Sequence, residues 1–171
     1  MQTEPAPAGP GDAAAFARWV GPALVPMTRL ARRLAPDADP EDVVQESLAR
    51  AWIKWGGYDA SRGTATTWLL AITADQARAA RRSRVRRLRV VDDRAGLPDA
   101  PAPQTPPVDL DLERAIAQLA ERQQLAVHLH YFVGLSVDET AAVMACSTGT
   151  VKSTLFDARS RLRTLLGETD D

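Results

Sequence analysis

Residues 135–166 read LSVDETAAVMACSTGTVKSTLFDARSRLRTLL, and this stretch decides the fold of the second half of the chain. Ser136 followed by Glu139 is a capping box, so the pattern predicts a helix that starts at Ser136 and ends in the short segment 145–147. Ser147 or Thr148 can cap a second helix, because either side chain offers an oxygen to the free backbone N–H groups of a first turn. Two helices joined by so short a turn are typical of a helix-turn-helix unit.

The second helix of this unit has an apolar and a polar face. Its apolar residues recur at three- and four-residue steps, which puts them on one side: Val151, Leu155, Ala158, Leu162 and Leu165 or Leu166. Other side chains point outward near the N-terminal end, the part of a recognition helix that enters a major groove: Thr148, Thr150, Lys152, Ser153, Thr154 and Phe156. An ordinary αα-hairpin with a solvated face is the alternative for this unit taken alone.

Charge is distributed unevenly, although the chain of 171 residues has a formal net charge of only −1. Residues 76–91 carry seven arginines and no acid, whereas residues 92–113 carry six acids and one arginine. Like charges so close together repel one another unless a polyanion neutralises them. The basic block therefore indicates a contact with nucleic-acid phosphates, with a solvated basic face as the alternative.

Cysteine content and hydropathy bear on the compartment. The single cysteine, Cys146, rules out an internal disulfide and fits a reducing environment. The chain has no long apolar run, and it has an acidic residue, Glu4, near its start. We therefore expect neither a signal peptide nor membrane insertion, and we predict a cytoplasmic protein.

Helical patterns also cover the first half of the chain. Residues 1–11 are rich in Pro, Ala and Gly and are predicted to be a disordered tail. A helical pattern follows from Asp12, and Pro22 and Pro26 must divide it into two pieces. Asp39 and Pro40 then form a strong helix start, with Asp39 as the cap and Pro40 in the first helical position.

The helix after Asp39 carries a polar stripe on one side: Asp42, Gln45, Glu46 and Arg50. Gly56 and Gly57 end it, and the loop 58–64 then holds an aromatic residue, an arginine and a glycine. The next helix is predicted from about Ala65 to Arg87. Four arginines share roughly one side of its second half and of the residues just beyond its end, which suits a phosphate backbone: Arg78, Arg81, Arg82 and Arg89.

Five prolines in residues 98–107 forbid a helix and favour an extended linker. After it, helices are predicted around residues 112–119 and 121–132, the latter ending at Gly134, before the helix-turn-helix. We therefore predict an all-α protein of two small helical domains joined by a flexible, Pro-rich linker. The domains are residues 12–89 and 110–167, the linker is 90–109, and the tails are 1–11 and 168–171.

Two stretches in this order resemble the sigma factors of bacterial RNA polymerase, of the extracytoplasmic-function (ECF) family in the sigma-70 superfamily. LARRLAPDADPEDVVQESLARAWIKW, followed by YDASRGTATTWLLAI, is similar to region 2 of these proteins. AIAQLAERQQLAVHLHYFVGLSVDETAAVMACSTGTVKSTLFDARSRL is similar to region 4. The resemblance implies a subunit that binds core RNA polymerase, directs it to the −10 and −35 promoter elements and helps to melt the DNA. It also implies no catalytic residue, cofactor or metal.

The resemblance implies a role for each of the polar and basic surfaces described above. The polar stripe Asp42, Gln45, Glu46 and Arg50 matches the surface that docks on the clamp of the largest polymerase subunit, and the flap is expected to take the second domain. The loop 58–64 and the next helix match the parts that hold a flipped base and read the −10 element, which implies roles for Tyr58, Arg62, Trp68, Arg78, Arg81 and Arg82. The outward residues of the last helix match the −35 reader. An anti-sigma factor is a further expected partner.

Some positions depart from the family pattern. Asp75 stands where an Asn is usual, Ala79 where an Asp is usual, and Thr154 and Asp157 where arginines are favoured. A carboxylate at Asp157 either repels phosphate or accepts a hydrogen bond from a cytosine amino group. These departures leave the promoter sequence open.

Other protein classes receive less support. His128 and His130 are two apart on a helix and point to different sides, which does not favour a zinc site, and Cys146 has no nearby histidine in sequence. The main rival is a helix-turn-helix repressor or activator that binds duplex DNA without core polymerase. An adaptor that binds polymerase without touching DNA is a third possibility.

Overall fold

The computed structural model describes residues 12–92 and 110–167, which form eight α-helices and no strand. The all-α prediction is confirmed. The helices are α1 Ala13–Val20, α2 Leu24–Leu34, α3 Pro40–Lys54, α4 Ala65–Asp92, α5 Leu110–Ala117, α6 Glu121–Val127, α7 Val137–Met144 and α8 Thr148–Leu166. Short 3-10 turns lie at Gly21–Ala23, Trp55–Gly57 and Ala60–Arg62, and a π-helical segment, His128–Val133, continues α6. The predicted tails 1–11 and 168–171 lie outside the described residues, as does 93–109 of the predicted linker.

Proline chemistry sets the first helix boundaries. The break between α1 and α2 falls at Gly21 and Pro22. Pro26 lies in the first turn of α2 and does not break the helix. The N–H groups of a first turn have no carbonyl partner within the helix, so a proline there removes no helical hydrogen bond. Asp39 caps α3 as expected, since its Oδ1 accepts a hydrogen bond of 2.8 Å from the Glu41 backbone N–H.

The long helix α4 runs further than the sequence indicated. It extends to Asp92, so residues 90–92, which the sequence analysis gave to the linker, are helical. The prolines that forbid a helix begin only at Pro98. The end of α4 therefore lies a few residues later than the composition suggested.

Two apolar clusters form the interior. The first is built mainly from α1–α4, and its fully buried members include Met27, Leu30, Trp55, Leu69 and Leu70. The second lies among α5–α8 and includes Ile116, Ala126, Val151, Leu155 and Ala158. The second cluster lies within residues 110–167, whereas the first draws on both halves of the chain.

The two domains are packed against each other, which the sequence did not reveal. Leu125, Leu129, Leu135 and Val143 belong to the second domain, yet they are buried in the cluster of the first. At the edge of this contact, the Arg33 guanidinium of α2 forms an ion pair with Glu113 of α5. The contact brings α7 against α4, and with it the helix-turn-helix against the first domain.

Candidate polymerase and nucleic-acid interfaces

The polar stripe of α3 is presented to solvent. Four residues on the opposite side of the helix are buried and fix its orientation: Val43, Val44, Ser47 and Ala51. The predicted stripe residues are consequently all exposed: Asp42, Gln45, Glu46 and Arg50. Arg50 Nε lies 3.6 Å from Glu46 Oε1, a weak surface pair that leaves both groups available to a partner.

An apolar residue extends this stripe and was missed by sequence reasoning. Ile53 is 80% exposed, and its spacing from Asp42 and Glu46 places it on the same side of α3. Burying this side chain against a partner would be favourable, although a single exposed apolar residue is not a binding site by itself. The signal was present in the sequence as an isoleucine in phase with the polar stripe.

The loop 58–64 is held by its own hydrogen bonds. The Tyr58 hydroxyl donates to the Gly63 carbonyl at 3.0 Å. The Ser61 hydroxyl and backbone N–H donate to Asp59 Oδ1 at 2.7 and 2.9 Å, and these two hydrogen bonds lower the pKa of the Asp59 carboxyl. Arg62 is exposed at the end of this turn. The loop is therefore shaped before any ligand arrives.

Gly63 is required by the geometry of this loop. Its φ of +153° disfavours a side chain, and a Cβ built on it would stand 2.8 Å from Thr67 Oγ1. The same Cβ would stand 3.9 Å from the Cβ of Ala142, which belongs to α7 of the second domain. The close approach of three elements at this glycine leaves room for the backbone alone.

A cleft of about 270 Å³ opens beside the loop. Tyr58, Arg62, Gly63 and Trp68 contribute to its lining, and so does Ala142. The Trp68 ring is half-buried because it packs against Trp19 and Tyr58, with ring centroids 5.8 and 5.7 Å away. Three of the predicted −10 residues, Tyr58, Arg62 and Trp68, thus meet at one cleft with a fixed aromatic wall.

The arginines of α4 divide between two directions. Arg78, Arg81, Arg82 and Arg86 line a second cleft of about 490 Å³, whose other wall includes Glu121 and Gln124 of α6. Arg84 instead donates to the Asp37 carbonyl at 2.9 Å. Arg89 was expected on the basic side, but its side chain lies outside the described residues.

The basic cleft is not evenly charged. Arg78 Nη2 lies 2.8 Å from Asp75 Oδ1, so the acid at the position where the family usually has Asn partly neutralises one arginine. Arg81 and Arg82 are exposed and have no carboxylate partner among residues 12–92 and 110–167. Arg86, which lines the same cleft, is also exposed and in none of these ion pairs, so all three guanidinium groups are available to an anionic partner.

The helix-turn-helix has the predicted geometry. Ser136 Oγ accepts from the Glu139 N–H at 3.1 Å, and Glu139 Oε2 accepts from the Ser136 N–H at 2.9 Å, so the capping box is confirmed. Ala145 in the turn adopts a left-handed φ of 50°, and Ser147 caps α8. Val151 is fully buried at the crossing of the two helices.

The outward residues of α8 fall into two groups. Thr148, Lys152, Ser153 and Phe156 are exposed, with Phe156 at 64%. Thr150 and Thr154 are half-buried, and their hydroxyls form hydrogen bonds within the same region. Thr150 Oγ1 lies 2.8 Å from Ser147 Oγ, and Thr154 Oγ1 donates to the Thr150 carbonyl at 2.7 Å. Asp157 is exposed beside Phe156.

The two histidines occupy different environments. His128 is 3% exposed, its Nδ1 has no hydrogen-bond partner, and burial lowers its pKa to about 4. His130 Nδ1 lies 2.7 Å from the Leu135 carbonyl. Within the described ranges no group of three or more His, Cys, Asp or Glu residues is placed to hold a metal ion. No helix in that part of the chain is long and apolar enough to cross a membrane.

Two family models match the chain in the order of its domains. Sigma-70 region 2 matches residues 23–87, and Sigma-70, region 4 matches residues 109–162. The matched residues contain the two stretches whose sequences resemble region 2 and region 4. The matched segments contain the α3 stripe, the loop 58–64, the α4 arginines and the helix-turn-helix.

Relatives match over most of their length. The RNA polymerase sigma-E factor of Streptomyces avermitilis is 33% identical over 164 residues, covering 94% of this chain and 89% of that protein. The ECF RNA polymerase sigma factor SigL of Mycobacterium tuberculosis is 34% identical over 145 residues, covering 82% of each.

Solved structures of similar fold include two protein–protein complexes. The sigma factor RpoE in complex with the anti-sigma factor NepR from Bartonella quintana superimposes with a TM-score of 0.68 and 28% identity, over 91% of this chain and 98% of that one. CnrH in complex with the cytosolic domain of CnrY gives a TM-score of 0.66 and 25% identity, over 94% and 92%. With this fold, both regions in order and relatives along the whole length, the chain belongs to the ECF family of sigma-70 factors and serves transcription initiation.

Proposed function

We propose that the chain docks on the clamp of core RNA polymerase through the exposed stripe of α3, with its second domain at the flap. The first domain then holds the melted −10 strand and α8 reads the −35 duplex. The chain adds no catalytic residue and works in the cytoplasm, alongside the polymerase. The repressor alternative is not favoured, because region 2 and region 4 both match.

One observation carries the −10 assignment: the aromatic cleft and the free arginines lie on one helix. Trp68 lines the cleft, and Arg81 and Arg82 follow on the same α4. The rise of an α-helix puts about 20 Å between Trp68 and Arg82. A strand with one base in the cleft can run along α4 and meet these guanidinium groups with its phosphates.

The energy for melting comes from capture of unpaired bases. Flipping a base out of the stack costs a few kcal/mol, and stacking on an aromatic side chain contributes about 1–3 kcal/mol per base. Trp68 and Tyr58 supply a rigid wall for such stacking, because their rings are already packed 5.7 Å apart. The second domain adds affinity through the connection between the two, since one bound element raises the effective concentration of the other.

The polymerase contact is tested by reversing one charge on α3. Glu46→Arg should abolish co-purification with core polymerase while leaving the helical circular dichroism signal intact. The exposed Glu46–Arg50 pair contributes only about 0.3–0.5 kcal/mol, so its loss does not unfold the helix.

The matched control is Glu41→Arg. Glu41 is exposed on the same helix but lies about 140° around the axis from Glu46. This variant should still bind polymerase. If Glu46→Arg also binds normally, α3 is not the docking surface.

The requirement for polymerase separates this function from that of a repressor. The purified chain should bind a fork-junction promoter strongly only when core polymerase is present. Tight binding to the duplex by the chain alone would favour the repressor.

An anti-sigma factor is proposed as a further partner. The two solved structures described above are complexes, one with the anti-sigma factor NepR and the other with the cytosolic domain of CnrY. Their close fit to this chain supports a regulator of the same kind. Affinity purification from cells followed by mass spectrometry tests it, and recovery of core polymerase alone would argue against such a partner.

A further inference from the structure

The two rings of the aromatic cleft are supported from behind by one residue of α1. The ring centroid of Trp19 lies 5.1 Å from that of Tyr58 and 5.8 Å from that of Trp68. Tyr58 and Trp68 both line the cleft, and their own centroids are 5.7 Å apart. Trp19 is not one of the residues that line the cleft. The three rings therefore form a closed triangle, with two members at the cleft and the third behind them.

The angles in this triangle are those of oriented ring contacts. The plane of Trp19 is inclined by 66° to that of Tyr58 and by 59° to that of Trp68. Aromatic rings prefer such inclined arrangements, because the positive edge of one ring then approaches the negative face of the other. Trp19 consequently sets the planes of both cleft rings as well as their positions, which an aliphatic side chain of similar bulk would not do.

Trp19 is itself held firmly. Its side chain is 8% exposed, and it packs on the rings of Trp55 and Phe16, with centroids 5.8 and 6.0 Å away. The start of α1 is fixed by Asp12, whose Oδ1 accepts a hydrogen bond of 2.9 Å from the Ala15 backbone N–H. The support behind the cleft is thus part of the packed interior of the first domain.

Helix α1 lies outside the part of the chain that matches region 2. The match begins at residue 23, whereas α1 ends at Val20. The family match therefore gives Trp19 no role, and an apolar residue in a helix reads only as core. Its place at the cleft comes from the fold.

We propose that Trp19 is a positioning residue for the −10 strand, because it holds Trp68 and Tyr58 in the orientation in which they receive an unpaired base. This inference rests on the proposed function of the cleft. Rings that had to be ordered while the DNA melts would subtract the cost of that ordering from the binding of the base. Trp19 removes this cost by ordering the rings beforehand.

Three variants separate positioning from bulk packing. Trp19→Leu removes the ring but keeps a large apolar side chain, and Trp19→Phe restores a ring at the same place. Leu30→Ala is the matched control, because Leu30 is fully buried in the same cluster and lines neither of the two clefts described. If Trp19→Leu loses its helical circular dichroism signal, Trp19→Met takes its place, since a methionine side chain adapts to irregular spaces.

Each full chain is combined with core polymerase and with one promoter selected from a library with the natural chain. Permanganate, which reacts with unpaired thymines, follows open-complex formation well below the thermal midpoint of every variant. Trp19→Leu should slow opening by about 10-fold, since two oriented ring contacts are lost. Trp19→Phe should stay within about 3-fold of the natural chain, and Leu30→Ala should open at the natural rate. Co-purification with polymerase should be unchanged in all of them.

A double variant tests whether Trp19 acts through the cleft. Trp68→Ala alone should slow opening, because the base loses its stacking surface. Adding Trp19→Leu to Trp68→Ala should slow it further by less than about 3-fold, since little is left to position. A residue that acted only through overall stability would multiply its effect with that of Trp68→Ala.

Three results would overturn the proposal: a natural rate of opening in folded Trp19→Leu, equal slowing in Leu30→Ala, and full multiplication in the double variant. Trp68→Ala distinguishes these from failure of the proposed function. Normal opening in Trp68→Ala would remove the −10 role of the cleft and the role of Trp19 with it. Slow opening in Trp68→Ala together with normal opening in Trp19→Leu would remove the role of Trp19 alone.

Discussion

Protonation of His128 should destabilise the folded chain as the pH falls below about 6.5. The ring is 3% exposed, with Phe132 5.5 Å away between ring centroids. Burial lowers its pKa from 6.5 to about 4, and the nearby positive charge of Arg33 adds to this effect. Arg33 is itself paired with Glu113.

The sign follows from proton binding. The pKa of His128 is lower in the folded chain than in the unfolded chain, so the unfolded chain binds more protons between these two values. Its contribution to stability is therefore complete above the unfolded pKa and is lost as the pH falls toward 4. Each unit by which the pKa is lowered corresponds to about 1.4 kcal/mol, so the whole contribution to the free energy of unfolding is about 3 kcal/mol. About 2 kcal/mol of this contribution is lost by pH 5.

Urea unfolding at pH 7.5 and pH 5.0 measures this effect by circular dichroism. The natural chain should lose about 2 kcal/mol more free energy of unfolding between the two pH values than His128→Leu, which has a similar volume and cannot be protonated. His130→Gln is the control, and between the two pH values it should lose as much free energy of unfolding as the natural chain does. Equal losses in the natural chain and in His128→Leu would refute the reasoning.

The remaining predictions concern the proposed DNA surfaces and the helix-turn-helix. Replacing Arg81 and Arg82 by Ala should weaken promoter binding by the holoenzyme for all sequences. It should also reduce the slope of log binding constant against log salt concentration by up to about two units. An unchanged slope would mean that these arginines face solvent and do not contact phosphate. If the Asp157 carboxylate only repels phosphate, Asp157→Arg should tighten −35 binding without altering the preferred base sequence. If the carboxylate accepts a hydrogen bond from cytosine, the same change should relax the preference at one base pair by about 1–3 kcal/mol. A promoter library transcribed with the natural chain and with the variant distinguishes these outcomes. Gly63→Ala should strain the loop by about 1–3 kcal/mol and slow open-complex formation, detected with permanganate; normal melting would show that the loop tolerates a side chain. Ser136→Ala should remove about 1 kcal/mol of stability through the lost cap, and a thermal midpoint equal to that of the natural chain would contradict this.

The sequence by itself was sufficient where the determining contacts are local. The caps at Asp39 and Ser136 form within a turn of the residue that makes them, so reading a few neighbours was enough. The apolar spacing around Val151 and Leu155 likewise predicted which face of α8 is buried. Family membership followed from such local patterns in a fixed order.

Side-chain partners distant in the sequence were beyond this reasoning. Helical angles grouped the arginines of α4, but only the fold shows that Arg84 reaches the carbonyl of Asp37, 47 residues away. The hydrogen bonds of the outward hydroxyls on α8 were also not foreseen: Thr150 Oγ1 lies 2.8 Å from Ser147 Oγ, and the Ser153 and Thr154 hydroxyls donate to the Thr150 carbonyl. Ile53 was overlooked because an apolar residue in a helix is expected to be buried, and only the packing of α3 shows that it is not.

The contact between the domains was decided by the tertiary structure alone. The spacing of Leu125 and Leu129 predicts that they are buried, and the same spacing would serve a face covered by any apolar surface. The hydrophobic effect is proportional to the area removed from water and has no direction, so a sequence pattern states how much surface must be covered and not by what. The fold supplies that surface from α2 and α4 of the first domain, and in doing so it brings the helix-turn-helix against the loop 58–64.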